Sequence, residues 1–106
     1  MAVDFEAVWN SIRAAVAPGS MVRNWSAAKG YTGGSFRIDN MDRSSVTVSG
    51  GAMQAPRRVS KGDFAKIFTI WDEYVAGNFP RSGMLPLSQN STYILSILHA
   101  AAAVGR

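Results

Sequence analysis

From Gly34 to Gly51 the chain reads GSFRIDNMDRSSVTVSGG. Two short alternating runs stand on either side of a polar segment. Phe36 and Ile38 alternate with Arg37 and Asp39, and Val46 and Val48 flank Thr47. A period of two sends successive side chains to opposite faces, so each run predicts a strand with one apolar face. Asn40–Ser44 is turn-like, and Ser49-Gly50-Gly51 supplies a second turn. On the N-terminal side, Ser20–Ser26 predicts a first strand, with Met21 or Val22 and Trp25 as its apolar residues. Lys29–Gly34 follows as a loop or irregular turn. On the C-terminal side, Ala52–Val59 predicts a fourth strand, which Pro56 confines to a sheet edge because proline has no N–H for a ladder.

Helical periodicity brackets these strands. Phe5, Val8, Trp9, Ile12 and Val16 fall at i, i+3, i+4, i+7 and i+11, one face of a helix. Asp4 is placed to cap it, Glu6 sits near the positive end of its dipole, and Pro18-Gly19 stops it. The same spacing recurs at Phe64, Ile67, Phe68, Trp71 and Val75. Ser60-Lys61-Gly62-Asp63 precedes that stripe with capping-box spacing, and Gly77 ends it. Asn78–Leu87 carries two prolines and reads as a loop. Asn90 or Ser91 then caps a last helix over Thr92–Val104, striped by Ile94, Ile97, Leu98 and Ala101. Tyr93 and Leu95 widen its apolar surface, which predicts a well-buried helix.

The expected fold is α+β. An N-terminal helix leads into a three- to four-stranded antiparallel sheet, and two C-terminal helices cover one sheet face. The expected core joins Phe5, Trp9, Ile12, Phe36, Ile38, Phe64, Phe68, Trp71, Ile94 and Leu98. At 106 residues the chain is one domain, residues 1–106, long enough to bury about two-thirds of its unfolded surface without metal or disulfide. It has no Cys, which excludes disulfides, thiolate metal sites and a cysteine nucleophile. Its apolar runs are far shorter than the roughly 20 residues a membrane helix needs. The acidic opening MAVDFE lacks a basic signal region. A soluble, cytoplasmic protein with no membrane contact is expected.

Charge is distributed unevenly. The chain has 11 Lys and Arg against 7 Asp and Glu. Arg23, Lys29, Arg37, Arg43, Arg57, Arg58 and Lys61 all lie in residues 20–61, opposed there by Asp39 and Asp42 alone, while the flanks nearly balance. The cationic surplus therefore belongs to the strands and their loops, where convergence would suit phosphate. Arg37, alternating with Phe36 and Ile38, is expected to face solvent, and Arg57-Arg58 adjoins the expected edge. Tyr31 is expected to be exposed, free to stack on a base or a partner side chain. No basic recognition helix is visible. The Phe64 helix carries Asp63, Asp72 and Glu73 beside its lysines, a poor match for a phosphate backbone.

Catalytic patterns do not emerge. A phosphate-binding loop needs Gly, four residues, then Gly-Lys-Ser/Thr between strand and helix, whereas Lys29 precedes its glycines and a strand follows. The single His99 has no nearby ligand or nucleophile at metal or triad spacing and reads as structural. Asp72 and Glu73 are adjacent on a helix and diverge. No catalytic residue, metal site or cofactor is expected.

Four strings carry a resemblance: Gly34–Ile38, Val46–Val48, Arg58–Phe64 and Asn90–Leu95. Through them residues 20–98 resemble a small uncharacterised bacterial α+β domain found alone or beside nuclease domains in restriction-related and mobile-element proteins. The resemblance implies a compact sheet-and-helix module of accessory type near DNA-processing systems. It carries over no catalytic residues, and the N-terminal helix is an addition to it.

The expected function is a non-enzymatic accessory protein that binds through its basic sheet-and-loop face. Arg23, Lys29, Tyr31, Arg37, Arg57, Arg58 and Lys61 are the expected contacts. DNA or RNA is the first-choice partner and an acidic protein the second. In that alternative the chain is an inhibitor or adaptor, from a phage or mobile element, that docks on a nucleic-acid-processing enzyme.

Overall fold

The computed structural model describes residues 5–50, 55–80, 83, 88 and 90–104. Helix α1 (Phe5–Ala15) leads into strands β1 (Met21–Ser26), β2 (Gly30–Met41), β3 (Ser45–Ser49) and β4 (Arg57–Ser60). Helices α2 (Lys61–Phe68), α3 (Trp71–Val75) and α4 (Ser91–Val104) follow. The strands form one antiparallel meander in the order β1-β2-β3-β4. This is the α+β arrangement expected. The Asp4 cap, the first residues of the Ala52–Val59 strand and most of the Asn78–Leu87 loop lie outside the described residues.

Alternation decides what each strand buries. Val22, Phe36, Ile38, Val46, Val48 and Val59 turn to the helices and are buried. Trp9 and Ile12 of α1, Phe64 and Ile67 of α2, and Ile94, Leu95, Ile97 and Leu98 of α4 complete the core. Phe5, Phe68 and Trp71, expected in the core, pack against it and are partly buried. Helix α4 buries Leu95 as well as its Ile94–Ile97–Leu98 stripe because it lies on β1 while α1 and α2 press on it from other sides.

Two local expectations change. Lys29–Gly34 is not a loop: the turn is Ala27–Lys29, and Gly30–Gly34 already belongs to β2. Between the pairs Arg23↔Ser35 and Trp25↔Tyr31, β1 uses one residue and β2 three. The glycines serve this bulge. Gly33 has φ +99°, and a Cβ on Gly34 would stand 2.6 Å from Asn24 Nδ2, too close for any side chain without displacing that amide.

The Phe64 stripe does not continue unbroken to Val75. α2 stops at Phe68, and the Ile70 N–H bonds to the Ile67 carbonyl in a tightened turn. The Thr69 hydroxyl donates to the Lys66 carbonyl at 2.6 Å, a side-chain bond that competes with the helical ladder. The offset makes Tyr74 the buried residue of α3 and leaves Val75 half exposed. Tyr74 thereby reaches β1, where its hydroxyl accepts the Ala27 N–H at 3.0 Å. The capping box is likewise half formed. Ser60 Oγ accepts the Asp63 N–H at 3.1 Å, but the Asp63 carboxylate takes the Ser88 hydroxyl instead of turning back.

Both sheet edges are protected. On β1 the Trp25 N–H donates to the buried Ser96 Oγ of α4 at 3.0 Å. β4 has four residues and follows Pro56, a short edge that offers little to a foreign strand.

Candidate nucleic-acid interface

The helices cover one sheet face and leave the other open. Residues directly opposed across a ladder share a face. The pairs Met21↔Arg37↔Ser49, Arg23↔Ser35 and Thr47↔Arg58 therefore lie together on the open side. From Arg23 on β1 to Arg37 on β2 the register advances two residues. From Ser49, opposite Arg37, to Thr47, opposite Arg58, it advances two more in the same direction. Arg23, Arg37 and Arg58 form one diagonal, roughly 20 Å long at ~4.8 Å between strands and ~3.3 Å per residue. Ser35, Thr47 and Ser49 set hydroxyls along it.

The other expected contacts separate from this line. Arg57 opposes Val48 and so belongs to the helix side. Its Nη1 reaches Asn90 Oδ1, just ahead of α4, at 3.4 Å. Arg57 and Arg58 are neighbours in sequence on opposite faces. Lys61 opens α2 and is ion-paired to Glu6 of α1. Lys29 and Arg43 occupy the β1–β2 and β2–β3 turns and are exposed.

The open-face arginines differ in their partners. Arg37 Nε holds Asp39 Oδ1 at 2.8 Å. The Ser49 hydroxyl, then Arg37, hold the Asp39 carboxyl below its ordinary range. Arg58 Nε donates to Ser45 Oγ at 2.8 Å, with Nη2 3.8 Å from Asp42 Oδ2. Asp42 accepts the Ser44 and Ser45 N–H groups at 2.8 and 2.7 Å and closes the β2–β3 turn. Those bonds, led by the Ser44 N–H, lower its carboxyl pKa. Arg23 pairs with no carboxylate among the described residues. Its guanidinium lies 4.3 Å from the centroid of the Tyr31 ring, a cation–π contact.

Tyr31 is half exposed, as expected, and sits at the end of an aromatic series. It meets the His99 ring edge-on at 5.6 Å, and His99 stacks on Trp25, which contacts Trp71 and Tyr74. Burial lowers the His99 pKa, favouring the neutral imidazole.

Asp39 and Asp42 as counterions were not foreseen. The i, i+2 spacing of Arg37 and Asp39 was the available signal, because it sets both on one side of a strand. Among the described residues no three His, Asp or Glu gather as a metal site, and no helix is long and apolar enough to cross a membrane. No protein-family model, curated protein or solved structure matches the chain.

Proposed function

We propose that this protein is a non-enzymatic accessory protein whose open sheet face binds the sugar–phosphate backbone of DNA or RNA in the cytoplasm. The supporting observation is the diagonal of Arg23, Arg37 and Arg58 on the face no helix covers. Arginine donates two parallel bonds to phosphate, and the interleaved hydroxyls of Ser35, Thr47 and Ser49 add neutral donors. Arg23, without a carboxylate partner among the described residues, is the first contact. Arg37 and Arg58 exchange Asp39 and Asp42 for phosphate. The resemblance to domains found beside nucleases in restriction-related and mobile-element proteins agrees with an accessory role.

A second reading draws on those same pairs. Asp39 and Asp42 demonstrate that carboxylates fit this face. An acidic protein, such as a nucleic-acid-processing enzyme bound by an inhibitor or adaptor, is the corresponding partner.

Fluorescence anisotropy of labelled duplex and single-stranded oligonucleotides separates the two. Three phosphate contacts give a slope of log K on log salt of about −2.7 for duplex and about −2.1 for single strands. Between 50 and 200 mM salt that is a loss of about 40-fold and about 18-fold. Absence of binding at 50 mM salt rejects the nucleic-acid reading and leaves the acidic protein.

A further inference from the structure

A cleft of about 640 Å³ opens where the β1–β2 turn meets α3 and the start of α4. It is separate from the open sheet face, and neither depends on the other. Its volume falls in the range of small-ligand sites, roughly 300–1,000 Å³. Trp25, Tyr74 and Phe79 contribute rings to its lining, and Ala27, Ala28 and Ala76 leave room between them.

Three backbone N–H groups of the cleft are already engaged. The Ala27 N–H is held by the Tyr74 hydroxyl, the Trp25 N–H by Ser96 and the Lys29 N–H by Ser26 Oγ. Two further groups stand out, and the first is Lys29, the only charged residue of the lining among the described residues. It is exposed and has no carboxylate partner among the described residues. The second is Asn24, whose Oδ1 is buried with no hydrogen-bond partner among the described residues. A buried acceptor left unsatisfied is costly and calls for an explanation.

We propose that this cleft binds a small molecule in which a planar aromatic ring bearing an N–H is joined to a single anionic group. The ring lies among Trp25, Tyr74 and Phe79, where stacking and apolar burial favour it. The anion pairs with Lys29. The ring N–H bonds to Asn24 Oδ1 once the carboxamide rotates toward the cleft. Two sources share this chemistry: free heteroaromatic carboxylates and mononucleotides, which join a base to a phosphate.

Amide-resolved NMR titration of the whole chain tests this with indole-3-acetate, guanosine 5′-monophosphate and the uncharged indole-3-acetamide. Saturable shifts confined to Ala27–Lys29, Val75–Gly77 and Thr92 are expected for at least one anion, and the tighter of the two names the source. Lys29→Met should weaken that anion about ten-fold and leave the acetamide unchanged. Lys29 is exposed, so the variant keeps its fold. Ala76→Trp, filling the cleft from an exposed position, should abolish the shifts. The proposal is overturned if neither anion gives saturable shifts at millimolar concentration. It is equally overturned if shifts spread over the whole surface, or if the acetamide binds as tightly as the anion and Lys29→Met changes nothing. Binding of the open face to oligonucleotides is unaffected by any of these outcomes, so the two readings fail separately.

Discussion

The indole of Trp25 and the imidazole of His99 are stacked, with centroids 4.0 Å apart and planes within 6° of parallel. The contact joins the end of β1 to α4. Burial lowers the His99 pKa below its value in the unfolded chain. At pH values between those two pKa values the unfolded chain binds more protons, so stability rises with pH through that window. The contribution is complete above about pH 6.5, the unfolded value for His, and is lost as pH falls through the folded one. His99 is the only histidine, and Asp39 and Asp42 titrate below this range. Urea midpoints measured from pH 7.5 to pH 5 should therefore fall in the native protein. His99→Phe, which keeps a ring on Trp25, should hold a flat midpoint over the same span. Parallel curves for the two proteins would show that His99 is not the titrating group.

The two phenylalanines of α2 should respond differently to truncation. Phe64 is fully buried and meets Trp9 edge-on at 5.3 Å. Phe68 is partly buried against Phe5 at 5.6 Å. Phe64→Ala should cost about 3–5 kcal/mol, the range for a fully buried ring. Phe68→Ala should cost roughly half as much, since part of its surface is already hydrated. Equal losses in chemical denaturation would mean that the end of α2 is better covered than its exposure implies.

Ser96→Ala removes the acceptor that the Trp25 N–H uses at the free edge of β1. Ser96 Oγ also donates to the Thr92 carbonyl within α4 at 2.9 Å. That carbonyl keeps its place in the helix, but the strand N–H is left without its partner. A loss of about 1 kcal/mol follows from removing this part-buried bond. Hydrogen exchange at the Trp25 amide should accelerate beyond what the global loss explains. Unchanged protection at that amide would show that another group takes the bond.

Periodicity carries most of this fold and stops at identifiable places. The alternation of Phe36 and Ile38, the stripe of α1 and the Ser60 cap are local patterns, so they are readable without tertiary knowledge. The glycines from Gly30 to Gly34 resemble a loop by composition. Their use as a bulge depends on Asn24 lying across Gly34, a contact no local pattern reports. The break after Phe68 needs Tyr74 to find β1. In the candidate interface, Arg37 facing solvent is legible from its neighbours. The split of Arg57 from Arg58 was legible too, because adjacent strand residues point to opposite faces. A segment total of cations does not separate the two. The cleft beside the β1–β2 turn is assembled from three elements and leaves no sequence signature.

That split yields the sharpest test of the open face. Arg58 lies on the diagonal with Arg23 and Arg37, whereas Arg57 reaches Asn90 on the helix side. Both are exposed and carry the same charge, so a protein that attracts nucleic acid only by its overall field loses equally from either change. A contact on the open face loses only from Arg58. Arg58→Ala should flatten the salt slope by about one and weaken binding to all sequences alike, since phosphate contacts position without reading bases. Arg57→Ala should leave the slope unchanged. Neither variant should shift stability by more than about 1 kcal/mol. The Arg58–Asp42 pair is long and exposed, and surface pairs of that kind contribute little. Arg58→Gln separates charge from geometry. It retains a side-chain donor toward Ser45 Oγ, so a slope as flat as that of Arg58→Ala would assign the effect to lost charge rather than to a loosened β2–β3 turn. Anisotropy titrations of the three variants over 50 to 200 mM salt decide the matter. Equal losses from Arg57→Ala and Arg58→Ala would remove the open face as the binding surface, even with nucleic acid as the ligand.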